Sequence, residues 1–143
     1  RQMCIRDRDY YTRMVQENLE QVSGEHDSAY EGLKACLKCI ILPSEDCPSH
    51  LCFLVKTVTE LDSQSPELVE AAQVALTEIR KALGKQIDQV FSEAGKEDND
   101  SGEELSAVLQ AQIIGLKMML KLGRSPELIE QDIEQLMKSL FKH

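Results

Sequence analysis

Apolar residues recur at intervals of three and four positions along most of the chain, which is the spacing of one face of an α-helix. Six stretches follow this pattern, and their apolar residues span 11–22, 30–41, 51–61, 69–90, 105–120 and 128–140. No stretch alternates apolar and polar residues with the period of two that is typical of a β-strand. The pattern therefore predicts an all-α protein of about six antiparallel helices.

Helix start and stop signals separate these stretches. Ser28 with Glu31, and Ser101 with Glu104, have the S-x-x-E spacing of a capping box. Further predicted helix starts and ends lie at Ser65-Pro66, Ser125-Pro126, Pro43 and Gly123. Gly84 lies inside the fourth stretch, where we predict one bent helix.

Residues 92–104 interrupt the helical pattern. Six of these thirteen positions are acidic and few are apolar, so burial cannot offset the entropy of ordering the segment. The composition predicts a mobile acidic loop near 92–104. Ser101 in this loop resembles an acidic-directed kinase site and is a candidate for phosphorylation, although its role as a helix cap is the simpler interpretation.

One short motif occurs twice. The sequence S-P-E-L-V-E at 65–70 recurs as S-P-E-L-I-E at 125–130, sixty residues later, each time after an amphipathic stretch and a short connector. A helical hairpin of this kind cannot bury its apolar face alone, so the repeat favours stacked hairpins. The alternative is that S-P-E-L is simply an effective helix start, used twice.

The fourth and fifth stretches resemble a HEAT or armadillo-like repeat. The positions that carry this resemblance are Pro66, Val69, Ala71, Ala72, Ala75, Leu76 and Ile79 in the second helix of the unit, and Gln110, Ile113, Leu116 and Leu120 in the first. The chain departs from that family at Glu70, where a basic residue is expected, and in its spacing of sixty residues. The resemblance implies an α-solenoid that binds proteins along a helical surface, packs against further repeats and has no catalytic site.

Charge and hydropathy narrow the expected partners. The formal net charge of −9 opposes direct binding to nucleic acid and favours protein partners with basic surfaces. No apolar run is long enough to span a membrane. The five cysteines have no even spacing, so we expect reduced thiols and a cytoplasmic or nuclear location.

Cysteine and histidine cluster in one region. Cys36-x-x-Cys39 is followed by Cys47-x-x-His50 and by Cys52, a set that could bind zinc or support thiol chemistry. Against this, the first pair lies in an apolar helical stretch, where buried cysteines are common. The phosphate-binding and acyl-transfer motifs G-x-G-x-x-G, G-x-x-x-x-G-K-[ST] and G-x-S-x-G are missing from the sequence. We therefore assign no catalytic, cofactor-binding or metal-binding residue and expect no cofactor.

Residues 1–8 differ in composition from the remainder, with three arginines and one aspartate, and RQMCIRDR resembles translated adapter sequence. We expect 1–8 to be a non-native or disordered leader. Residues 9–143 are then expected to form a single helical-hairpin domain that belongs to a larger helical-repeat protein.

Together these features predict a non-catalytic protein-interaction scaffold or adaptor segment of an α-solenoid protein. Two alternatives stay open. One is a metal- or thiol-dependent module around Cys36 to Cys52, and the other is an accessory helical domain of a larger enzyme.

Overall fold

The computed structural model describes residues 13, 16, 17, 20–22, 24–42, 66–95 and 102–141. Four helices have defined bounds, and they are α1 (Ala29–Ile41), α2 (Pro66–Glu93), α3 (Gly102–Lys121) and α4 (Pro126–Leu140). Helical residues between 13 and 24 form a fifth segment ahead of α1. The all-α prediction is confirmed, with five helical segments rather than six and no strand among the described residues. The predicted helix at 51–61 lies outside them.

Two predicted helix starts are confirmed by their hydrogen bonds. The hydroxyl of Ser28 accepts the backbone N–H of Glu31 at 3.1 Å, and the hydroxyl of Ser125 accepts that of Leu128 at 3.3 Å. Each bond satisfies one of the N–H groups that a helix leaves without an internal partner. Pro126 occupies the first turn of α4, where its missing N–H costs nothing.

The end of α3 at Gly123 is also confirmed. Gly123 adopts φ of 108°, a left-handed conformation that glycine accommodates without strain. Its N–H donates to the carbonyl of Leu120, and the N–H of Arg124 donates to the carbonyl of Met119 at 3.0 Å. These two bonds form a Schellman motif, which satisfies the last carbonyls of α3 and turns the chain back toward α4.

The acidic loop is shorter than predicted. α2 passes Gly84 without interruption and ends at Glu93, while α3 begins at Gly102, so the outer positions of 92–104 are helical. Asp88 explains the early start of α3, because its carboxylate accepts the N–H of Gly102 at 2.6 Å. Residues 96–101 lie outside the described part of the chain.

Four helices contribute to one core. The largest fully buried side chains are Leu33, Leu37, Ile41, Ile79, Leu83, Ile87, Leu109, Ile113, Ile129 and Ile133. α2 packs mainly on α3, while α1 contacts α2, α3 and α4. In a solenoid each hairpin contacts only its neighbours in the chain, whereas here α1 packs on α4 about a hundred residues later. The prediction of stacked, solenoid-like hairpins is therefore wrong.

Candidate functional site

The outer face of α3 carries a row of apolar and small residues that no described element covers. Val108 and Met118 are each 51% exposed, and Leu122, directly after the helix, is 75% exposed. Ala111 and Gly115 between them are exposed as well. The intervals of three, four, three and four place all five residues on one side of the helix. We call these five residues the α3 stripe.

α3 is apolar on its inner side too. Its buried residues are Gly102, Ser106, Leu109 and Ile113, which follow intervals of four, three and four. A helix with one water-facing side is expected to be polar there, whereas a helix that is apolar on both sides is covered on both sides. The α3 stripe is therefore the surface of this domain that most needs a partner.

The inner side of α3 fits closely against α2. A Cβ added at Gly84 would lie 3.1 Å from the carbonyl oxygen of Gly102, and one added at Gly102 would collide with the carbonyl oxygen of Gly84. Two turns further along, the Gln110 side-chain amide donates to the carbonyl of Leu76 at 2.8 Å. These contacts fix the position of α3, and with it the orientation of the α3 stripe.

Long polar side chains connect α1 to α3 and α4. Lys117 donates to the carbonyl of Ile40 at 2.8 Å, which places a positive charge at the negative end of the α1 dipole. Lys34 lies 3.3 Å from a Glu134 carboxylate oxygen and 3.0 Å from one of Glu31. The hydrogen bond to Glu31, more than that to Glu134, raises the pKa of Lys34. The lysine therefore stays protonated while it joins α1 to α4.

Arg124 and Asp132 form a two-point ion pair at the turn between α3 and α4. Nε of Arg124 donates to Oδ2 of Asp132 at 2.6 Å, and Nη2 donates to Oδ1 at 2.8 Å. The paired guanidinium lowers the pKa of Asp132, mainly through these hydrogen bonds. The pair holds the Schellman turn against the second turn of α4.

We predict that Asp132→Asn lowers the melting temperature slightly at pH 7. Because the pKa of Asp132 is lower in the folded protein, its stabilisation is present above the ordinary aspartate pKa of about 3.9 and is lost as pH falls through the folded value. Thermal melts followed by circular dichroism between pH 7 and pH 3 should therefore show wild type and variant converging at low pH. Glu130→Gln, an exposed carboxylate beyond the first turn of α4 and without a described partner, is the control, and a constant difference at all pH values would contradict the prediction.

A polar cleft lies on another side of α2. Its volume is about 800 Å³, and its walls are α2 and the helical residues that precede α1. Glu93 closes one end, because its carboxylate accepts the N–H of Ala29 at 3.0 and 3.2 Å. The side-chain oxygen of Gln86 is buried beside the cleft and accepts no hydrogen bond. This volume lies in the range of small-molecule sites, as does that of a second described cavity of about 670 Å³ between α1 and the end of α4.

A comparison with protein-family models matches residues 29–136 to the family described as "Tetracyclin repressor-like, C-terminal domain". The match covers most of the chain. The chain belongs to this family. A search of curated proteins and a search of solved structures each found no match.

Membership of the tetracyclin repressor-like C-terminal domains overturns the resemblance to HEAT and armadillo repeats. The predicted α-solenoid scaffold function is wrong for the same reason. The small residues that suggested a repeat, Ala71, Ala72 and Ala75, are instead buried where α2 enters the shared core. The recurrence of S-P-E-L agrees with its simpler interpretation, since Ser125 and Pro126 form an ordinary helix start.

The cysteine module is not supported in the tetracyclin repressor-like domain. Cys36 is buried in α1, and Cys39 is disulfide-bonded, so the prediction of reduced thiols is wrong for Cys39. A disulfide sulfur is not a thiolate and cannot be a zinc ligand. Cys47, His50 and Cys52 lie outside the described residues, which contain no group of three metal-binding side chains.

The structure bears on two further predictions, the phosphorylation of Ser101 and the lack of a membrane-spanning stretch. Ser101 lies outside the described residues, so its phosphorylation stays a prediction. Among the described helices, none combines the length and apolar character that crossing a bilayer requires.

The sequence shows that α3 is rich in apolar residues. Helical periodicity alone does not show which of them belong to the α3 stripe and which to the core. Val108 and Leu109 are adjacent and apolar, yet one faces outward and the other inward. The useful signal was that apolar residues lie on two sides of α3 in the tetracyclin repressor-like domain, on the α3 stripe and in the core.

Proposed function

We propose that this chain is the regulatory domain of a transcriptional repressor and that it works as a pair of identical copies joined through the α3 stripe. The family match supports the regulatory role, and the uncovered stripe carries the pairing. The domain itself needs no contact with nucleic acid, which agrees with its net charge of −9. We also propose that it is not an enzyme, since regulation through pairing and ligand binding requires no catalytic group.

The size and grouping of the exposed side chains support a protein-binding surface on α3. Single apolar residues on a surface are common, but a continuous row of them marks an interaction site. Val108, Met118 and Leu122 are all at least half exposed and lie on one side of α3. Covering each such side chain with a partner contributes about 1 to 2 kcal/mol to the free energy of association, at roughly 25 cal/mol per Å² of apolar surface.

The α3 stripe is arranged symmetrically, which favours a second copy of this chain as the partner. Gly115 lies at its centre, with Val108 and Leu122 seven positions away on either side. If two α3 helices pack antiparallel and cross at Gly115 around a two-fold axis, Val108 of each copy faces Leu122 of the other. Ala111 of each copy then faces Met118 of the other, so a small residue meets a large one. A surface that fits its own copy in this way is what an isologous dimer requires.

The centre of the stripe is also suited to close helix packing. A Cβ added at Gly115 would have no atom within 4 Å in the single chain, so the space outside this glycine is open. Small residues at a crossing point allow two helix axes to approach to about 8 Å. The backbone at Gly115 is therefore available to a partner helix.

We predict that Met118→Glu separates the pair. The substitution removes apolar contact and places a carboxylate in the interface, so the dissociation constant should rise by about 100-fold. Sedimentation equilibrium over a range of concentrations measures this directly. Circular dichroism at the same concentrations should show unchanged helix content, and Ala111→Glu provides a second variant at the same surface.

Val74→Glu is the matched control. Val74 is an apolar residue on α2 that is 41% exposed but lies outside the α3 stripe, so the same change there should leave pairing unaffected. A wild-type chain that stays monomeric at about 100 μM would overturn the proposal. Equal dissociation constants for Met118→Glu and the control Val74→Glu would overturn it as well.

A further inference from the structure

We infer that Met118 and Met119 form an oxidation site through which peroxides separate the pair of copies. This inference rests on the proposed pairing, since it concerns the regulation of the α3 stripe. The oxidant is hydrogen peroxide or an organic hydroperoxide. The inference follows from the exposure of the two methionines, their position on α3 and the chemistry of the thioether group.

The three described methionines differ in their exposure to solvent. Met118 and Met119 are 51% and 45% exposed, whereas Met137 has no exposed surface in α4. Oxidation of a methionine requires contact between its sulfur and an oxidant in solution. In the single chain, peroxide therefore reaches the two methionines of α3, and the surrounding core protects Met137.

Both methionines lie on the water-facing side of α3. Met118 belongs to the α3 stripe, and Met119 adjoins it, because at about 100° per residue it projects only about 20° from the direction of Val108. Their backbone carbonyls accept the N–H groups of Leu122 and Arg124 at 2.9 and 3.0 Å, in the turn that ends α3. These bonds do not involve sulfur, so we expect the helix end to persist after oxidation.

The reaction converts each thioether into a sulfoxide. A sulfur lone pair attacks one oxygen of hydrogen peroxide, an S–O bond forms and the O–O bond breaks. The proton of the transferred oxygen passes to the departing oxygen, which leaves as water. Sulfur is oxidised by two electrons, and the peroxide is reduced by two. A flexible apolar side chain thereby becomes a polar one that accepts hydrogen bonds.

A sulfoxide at Met118 has no hydrogen-bond partner in the proposed pair. Met118 of each copy faces Ala111 of the other, and the methyl group of alanine donates no hydrogen bond. Pairing would remove the sulfoxide oxygen from water without replacing its hydrogen bonds, and the two-fold axis places two such oxygens in each interface. Because pairing covers Met118, the dissociated chain is the form that reacts, and oxidised chains stay apart.

The test treats the full chain with hydrogen peroxide, locates the sulfoxides by peptide mass spectrometry and measures pairing by sedimentation equilibrium. We expect sulfoxide at Met118 and Met119 well before Met137, and a dissociation constant at least about 30-fold above that of the untreated chain. Methionine sulfoxide reductases for both sulfoxide epimers should restore the original value. Circular dichroism of the treated chain should show unchanged helix content.

Matched variants separate the methionines from other groups that peroxide oxidises. The double variant Met118→Leu, Met119→Leu keeps every cysteine and replaces both exposed sulfur atoms with apolar side chains of similar size. Its own dissociation constant should be the same before and after peroxide treatment. Met137→Leu should respond to peroxide as strongly as the wild type, because its sulfur takes no part.

Three results would overturn the inference while the proposed pairing stands. They are equal rates of oxidation at Met137 and at the α3 methionines, an unchanged dissociation constant after complete oxidation of Met118 and Met119, and a full response to peroxide in the double variant. An untreated chain that is monomeric overturns the pairing and this regulation with it. Sedimentation before and after treatment therefore distinguishes the two failures.

Discussion

Leu83→Ala is expected to lower the free energy of unfolding by about 2 to 5 kcal/mol, the usual range for removing a buried leucine side chain. Leu83 has no exposed surface and lies in the middle of α2, the helix that packs on α1 and α3. The substitution removes apolar contacts and leaves a cavity that helices held on two sides cannot easily close. Urea unfolding followed by circular dichroism at fixed protein concentration gives the difference.

The matched control is the same substitution at Leu128. This leucine is 41% exposed in the first turn of α4, so Leu128→Ala should cost well under half as much as Leu83→Ala. Equal losses at the two positions would mean that α2 does not lie at the centre of the core. Fixed concentration matters because the proposed pairing would add to the apparent stability of the folded chain.

Gly102→Ala is expected to destabilise the protein by about 1 to 3 kcal/mol, although alanine is normally the better helix former. The added Cβ would collide with the carbonyl oxygen of Gly84 and lie 2.8 Å from the carboxylate of Asp88. A side chain could rotate away, but the carbonyl belongs to the backbone of α2. The two helices must therefore separate, which also weakens the hydrogen bond between the Gly102 N–H and Asp88.

Gly24→Ala is the control for this prediction. Gly24 is helical, and a Cβ there has nothing within 4 Å, so the substitution should be neutral or stabilise the protein by up to about 1 kcal/mol. Thermal and urea unfolding of both variants measures the contrast. If Gly102→Ala proved as stable as the wild type, the close contact between α2 and α3 would be wrong.

Local features of this fold could be predicted because neighbouring residues determine them. The cap at Ser28, the start at Ser125 and the left-handed Gly123 each depend on a few adjacent residues and backbone geometry. The arrangement of the helices could not be predicted in the same way. Periodicity shows that a helix has an apolar face but does not show which helix covers it, so the packing of α1 on α4 was missed.

The candidate sites were missed for two different reasons. Val108 belongs to the predicted apolar stretch 105–120 together with core residues such as Leu109, and a helix that is apolar on both sides does not show which side is buried. The cleft beside α2 depends on an empty space bounded by Gly24 and Ala82, and distance along the chain gives no sign that these residues are near each other. Conversely, the spacing of Cys36 and Cys39 matched a metal motif, but the helix and the disulfide at Cys39 make that chemistry unavailable.

The direct contact between Gly84 and Gly102 has a mechanical consequence. Where helices touch through side chains, changes of rotamer absorb part of any movement, but here backbone meets backbone with nothing between them. A displacement of α2 at this point must therefore shift α3 by nearly the same distance. Gln86, in the wall of the cleft, lies only two residues from Gly84, so this contact couples the wall of the cleft rigidly to the helix that carries the α3 stripe.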